Sequence, residues 1–145
     1  MRPINVMALL LMAAATALPA VAQQSREFGD YEVHYSTLNT NMLSPEIASA
    51  YGIQRAGTQA MLNITVLNKE NSEPVEAEIS ASATNLTGQQ RTIELRQIDD
   101  QGAIYFIGQF RIHNEESLNF NVEVQPEGHD GEPFQLQFRQ QFFTG

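Results

Sequence analysis

Apolar and polar residues alternate with a period of two along most of this chain, the pattern of strands that bury one face. Tyr31, Val33 and Tyr35 alternate with Glu32, His34 and Ser36. Ala60, Leu62, Ile64 and Val66 share a face of the next run, while Met61 and Leu67 put apolar groups on the other, which predicts a central strand. Val75, Ala77, Ile79, Ala81 and Ala83 follow, their small side chains predicting close approach to a neighbouring element. A short run over Thr92–Ile98 turns Ile93 and Leu95 inward. Ile104, Phe106, Phe110 and Ile112 then share a face that Gly108 interrupts, as at a bulge or a close contact. Leu118, Phe120, Val122 and Val124 make the next inward face, and Phe134, Leu136, Phe138 and Phe142 the last.

Turn chemistry separates these runs: a polar loop over 68–74, Gly88, Asp99-Asp100-Gln101-Gly102 and the polar segment 126–133. Gln23 to Glu27 reads as a loose lead-in to the first strand. After that strand the periodicity changes. Asn39-Thr40-Asn41 breaks it, and Ser44-Pro45 supplies an N-cap followed by proline at the first helical position. Glu46 suits the first turn, Ile47 and Tyr51 lie four apart on one face, and Gly52 fits a left-handed C-terminal cap. So short a helix does not persist alone, so Ile47 and Tyr51 are expected to dock it on the sheet. These elements predict an all-β chain, an antiparallel immunoglobulin-like β-sandwich of about seven strands with one short helix inserted after the first. A closed barrel is the alternative. The Cys and Trp of an antibody domain are absent.

The amino-terminal segment stands apart. Arg2, the apolar run Val6–Leu18, Pro19 and the small-x-small sequence Ala20-Val21-Ala22 form a secretory signal peptide over residues 1–22, leaving a single domain over 23–145. The apolar run is shorter than the roughly 20 residues of a spanning helix, and no Cys follows for a lipid anchor. The expectation is a soluble periplasmic protein without a membrane anchor. Outward strand faces rich in Glu, Gln, Ser and Asn argue against an outer-membrane barrel. With 17 acidic against 8 basic residues the net charge is −9, which makes nucleic acid and anionic lipid poor partners.

Candidate chemistry is sparse. A nucleophile needs a positioned base, yet Cys is absent, no G-x-S-x-G elbow occurs, and His34, His113 and His129 are scattered. Glu127-Gly128-His129-Asp130-Gly131-Glu132 has oxygen and nitrogen donors but neither calcium-loop nor zinc spacing, and ordinary turn chemistry accounts for it. His34 with Met42 or Met61 is a weaker copper pattern. The pairs Asp99-Asp100 and Glu115-Glu116 sit at turns, not as an acid and a base across a site. The reading is a protein that is not an enzyme, with no catalytic residues, no metal site and no cofactor.

The stretch FGDYEVHYSTLNTNMLSPEIASAYGI over 28–53, followed by AMLNITVLN, resembles a family of small exported gamma-proteobacterial proteins, the domain of unknown function 4426. The resemblance implies export and a β-sandwich, and supplies no activity or functional residue. Function then rests on the loop-plus-helix insert 38–52, because loops on rigid scaffolds carry binding and Tyr and Met are enriched in interface cores. Asn39, Asn41 and Met42 are the candidate binding residues, facing outward, while Leu43, Ile47 and Tyr51 dock the insert. The expected role is a binding or accessory module of the cell envelope with a protein partner; a metal- or small-molecule-binding protein is the alternative. The edge of the last strand, Gln135 to Gln141, is the next candidate surface.

Overall fold

The computed structural model describes residues 24–144; the leader assigned to residues 1–22 lies outside them. Nine strands are present: β1 (Gln24–Phe28), β2 (Tyr31–Asn39), β3 (Gln59–Asn68), β4 (Ala77–Asn85), β5 (Gln90–Ile93), β6 (Arg96–Asp100), β7 (Ala103–Arg111), β8 (Glu116–Pro126) and β9 (Phe134–Phe142). All pair antiparallel, in two sheets ordered β1-β2-β3-β7-β6 and β5-β4-β8-β9. From β2 onward this is the strand order of an immunoglobulin-type Greek key with one extra strand after the third. Two separate sheets replace the closed barrel with a sandwich. The short helix α1 (Pro45–Tyr51) follows β2, the first strand visible in the hydrophobic pattern.

Two strands escape that pattern for different reasons. The lead-in Gln24–Phe28 is β1, paired residue by residue from Gln24↔Tyr35 to Phe28↔Tyr31. It is an exposed edge strand, so backbone pairing defines it and its side chains show no apolar stripe. The single run Thr92–Ile98 divides. Ile93 ends β5 in the four-stranded sheet, and Arg96 begins β6 in the five-stranded one.

The core lies between the sheets, where Val33, Leu62, Ile64, Val66, Leu118, Phe120, Val122, Val124 and Leu136 are essentially inaccessible. Aromatic rings knit it together. Phe120 stacks on Phe138 at 4.6 Å, Phe138 meets Tyr35 of the opposite sheet at 4.5 Å, and Phe110 meets Phe142 edge-on at 5.5 Å. Phe106 and Phe120 are buried as their periodicity predicts, whereas Phe138 is half-buried at the margin.

Gly108 marks a close contact, not a bulge. The chain passing from β5 to β6 crosses it so tightly that a Cβ there would lie 2.5 Å from the Glu94 carbonyl oxygen and 2.7 Å from Ile93 Cγ2. The crossing ties the two sheets along one side of the sandwich. At one end of the four-stranded sheet, Glu116 accepts hydrogen bonds from both terminal nitrogens of Arg91 (3.0 and 2.8 Å), from Asn85 Nδ2 (3.2 Å) and from the His113 amide (3.2 Å). These bonds, those of Arg91 above all, hold its carboxyl below the usual glutamate range despite the opposing effect of burial.

Two outcomes are expected in denaturant melts. Gly108→Ala forces a side chain against backbone and costs about 3 kcal/mol, while Gln137→Ala on the outer face costs about 0.5 kcal/mol or less. The second concerns acid. Because the folded state lowers the Glu116 pKa, its contribution is complete above the unfolded value of about 4.3 and is lost as pH falls through the lower folded value. Melts of the native chain therefore weaken in that acidic window, and Glu116→Gln flattens this part of the pH dependence.

Candidate functional site

The insert between β2 and β3 opens with a single 3-10 turn, Thr40–Met42. Ser44 then caps α1, its Oγ accepting from the Ile47 amide at 3.2 Å, and Gly52 closes the helix with φ 68°. The face that docks is not the expected one. Ile47 is 47% exposed, whereas Ala48 is buried with Ile53 against Met61 and Ile107. A methyl group at the contact lets the helix lie close to the sheet, and the phase set at Ser44 turns Ile47 away. Leu43 and Tyr51 do pack against this cluster. No basic residue lies in the last turn of α1, and Arg96 of β6 takes that role by donating to the Tyr51 carbonyl. The Tyr51 hydroxyl donates to Asp100 at 3.0 Å, and burial together with this bond pushes its pKa up.

The residue that fixes the insert is one the hydrophobic pattern passes over. Thr40 is fully buried, and its hydroxyl both donates to the Ala56 carbonyl (3.1 Å) and accepts from the Ala56 amide (2.9 Å). One side chain thereby satisfies both polar groups of a residue at the far end of the insert. Only its position inside a polar triplet, Asn39-Thr40-Asn41, hints at a structural role.

The three candidate binding residues diverge from this base. Asn39 Nδ2 donates to the Phe143 carbonyl at 2.7 Å, which fastens the end of β2 to the chain beyond β9. Asn41 is exposed, and its carbonyl accepts from Arg55 at 2.9 Å. Met42 is 65% exposed. Asn39 and Met42 line a cleft of about 330 Å³ along the open side of the sandwich, between β2 and β9, whose walls include Tyr35, Phe138, Gln140 and Phe143. Asn41 is not among its lining residues. Phe143, 57% exposed, is a residue the sequence reading omitted. Its signal was present: in consecutive Phe142 and Phe143, strand alternation turns one ring in and the other out.

The remaining polar candidates are dispersed. His34 sits against Glu32 at 2.6 Å, on the outer face of the five-stranded sheet. Met61 is buried beneath α1 and pairs with Leu38, four residues along β2 from His34, or about 13 Å at strand spacing. The His129 ring packs 4.4 Å from Phe134 and edge-on to Tyr31, with Nε2 beside the Glu132 carbonyl at 3.1 Å. Among the described residues no three His, Cys, Asp or Glu side chains converge as a metal-holding group.

The base of the insert is directly testable. Thr40→Val keeps the shape but strips the Ala56 amide of its partner and leaves the Ala56 carbonyl with the Gln59 amide alone, and is expected to cost about 1–3 kcal/mol in denaturant melts. Thr40→Ser, which keeps the hydroxyl, should retain slow hydrogen exchange at the Ala56 amide that the valine variant loses.

Comparison with known proteins places this geometry. No curated protein matches the sequence. The crystal structure of a DUF4426 family protein from Pseudomonas aeruginosa PAO1 superposes with a TM-score of 0.74 at 36% identity, covering 83% of this chain and 94% of that one. "As isolated" FetP of uropathogenic E. coli strain F11, recombinantly expressed in the periplasm, superposes at 0.63 with 12% identity over 84% of this chain and 94% of its own. A copper-bound variant of the same FetP gives 0.62 at 12% identity over 83% and 95%. At that identity the FetP likeness is one of fold. Residues 25–145 match the domain of unknown function DUF4426, and the chain belongs to that family.

Proposed function

We propose that the protein is an exported, non-enzymatic accessory module of the bacterial envelope that binds a protein partner through the cleft between β2 and β9. The observation that carries this reading is the pairing of Met42 and Phe143. Both are large apolar side chains left exposed, and both border the same cleft. Outside this cleft and the patch covered by α1 the outward strand faces are mostly polar, Ile47 and Leu86 are the other large apolar side chains left exposed among the described residues, and the chain carries a net charge of −9. A rimmed apolar patch of this kind is characteristic of interaction surfaces, and Met and aromatic residues are the types that interface cores favour. Export to the periplasm rests on the leader sequence over residues 1–22.

A second reading, a metal- or small-molecule-binding protein, draws on the copper-bound FetP variant with which this chain shares its fold. A metal survey of the purified protein separates the two, since stoichiometric metal favours the second.

Met42→Ser and Phe143→Ser, separately and together, are expected to leave stability within about 0.5 kcal/mol and to abolish crosslinks to a partner in the intact envelope. Unchanged crosslinking in the folded double variant would remove the cleft from consideration.

A further inference from the structure

From the Gly108 crossing outward the five-stranded sheet runs β6-β7-β3-β2-β1 and the four-stranded sheet β5-β4-β8-β9. On the open side β2 lies over β9, as the Tyr35–Phe138 contact shows, and the five-stranded sheet continues for one strand more. β1 thus overhangs the four-stranded sheet, with no counterpart beyond β9 among the described residues. The inner face of β1 is set by its register. Gln24, Arg26 and Phe28 lie opposite Tyr35, Val33 and Tyr31 and share their side of the sheet. Phe28 closes one end by stacking on Phe134 at 5.0 Å. Gln24 lines the cleft at the other end.

Arg26 lies between them. It is exposed, and no carboxylate of the described residues lies within ion-pair distance of it. Lys69 and Arg91, by contrast, are paired with Glu27 and Glu116. The cleft lining mixes apolar with uncharged polar side chains and contains no acidic residue; Arg26 lies just outside it, two residues along β1 from Gln24.

The free edge of β9 runs along the same margin. β9 pairs with β8 over its whole length, and its other edge has no strand partner among the described residues. Its sequence, FQLQFRQQF, contains no proline or glycine and one charge, so β9 itself carries few of the devices that normally blunt an edge. A strand added there would lie beneath β1, and its inward side chains would alternate at a spacing of two residues.

We infer that the partner segment bound at this cleft is an extended strand that pairs with the edge of β9 and places a carboxylate against Arg26. Two residues along the same face, an apolar side chain enters the cleft beside Tyr35, Phe138 and Met42. Main-chain hydrogen bonds hold such a strand, and the alternating side chains select it. Burying Arg26 under it without a counter-charge would be strongly unfavourable, so the carboxylate is required for recognition. This inference rests on the cleft being the binding site.

The test uses a displayed library of random peptides of about nine residues, a typical strand length, selected against the exported protein and against its Arg26→Glu variant. Selection on the native chain should enrich Asp or Glu two positions from an apolar residue, and selection on the variant should enrich Lys or Arg in that place. A peptide selected on the native chain should bind the variant about tenfold or more weakly, and should slow hydrogen exchange at β9 amides of the native protein. No enrichment over the protein-free support, identical sequences from both targets, or unprotected β9 amides would overturn strand addition. The cleft reading fails separately, through envelope crosslinks that survive the Met42 and Phe143 substitutions.

Discussion

The passage of Glu94 and Leu95 over Gly108 is the contact on which the arrangement of the two sheets depends. It carries the chain from one sheet to the other with no room for a side chain at the crossing, which fixes both separation and registry along that side. The opposite side has no such link. There the sheets are held by Phe28 on Phe134, Tyr35 on Phe138 and the Asn39 amide on the Phe143 carbonyl. The cleft walled by Tyr35 and Phe138 opens on this second margin, while another hollow, lined by Thr92, Glu94, Arg96 and Gly108, lies beside the crossing itself.

Much of this was legible in the sequence, because a strand with one buried face writes its own alternation. The inward faces of β2, β3, β7 and β8 read correctly, as did the Ser44 and Gly52 caps of the helix. What escaped lacked an apolar signature. β1 is defined by backbone pairing, and its residues QSREF are mostly exposed. The switch between β5 and β6 is silent, since Ile93 and Leu95 keep their period of two while the chain changes sheets. Ile47 carries the hydrophobicity but Ala48 makes the contact, because hydrophobicity alone does not report how closely a helix approaches. Asn39 and Met42 do come together at the cleft, but Phe143 and Arg26 enter only through tertiary neighbours that sequence spacing does not reveal.

The positive charges show how an acidic chain is organised. Arg91 anchors the Glu116 network, Arg96 the carboxyl end of the helix, Arg55 the Asn41 carbonyl, and Lys69 pairs with Glu27. Each of these cations ties two segments of the chain together. Arg26, Arg111 and Arg139 are exposed with no carboxylate of the described residues within ion-pair distance, and of the three it is Arg26 whose register turns it toward the open side. An inward-pointing charge on an edge strand discourages indiscriminate pairing between sheets, a role that Arg26 would fill alongside the recognition proposed for it.

Thr40 and Ala56 bring the two ends of the helical insert together at a single hydroxyl. Everything between them is a loop closed at its base, and closure entropy changes only slowly with loop length. The sandwich therefore registers that base, and the apolar residues that pack on Met61 and Ile107, much more than the exact length of the loop. The neck and the floor are thus the fixed parts of the insert: residues added between them cost little closure entropy, provided that a buried hydroxyl closes the neck and Ala48 and Ile53 still cover Met61 and Ile107.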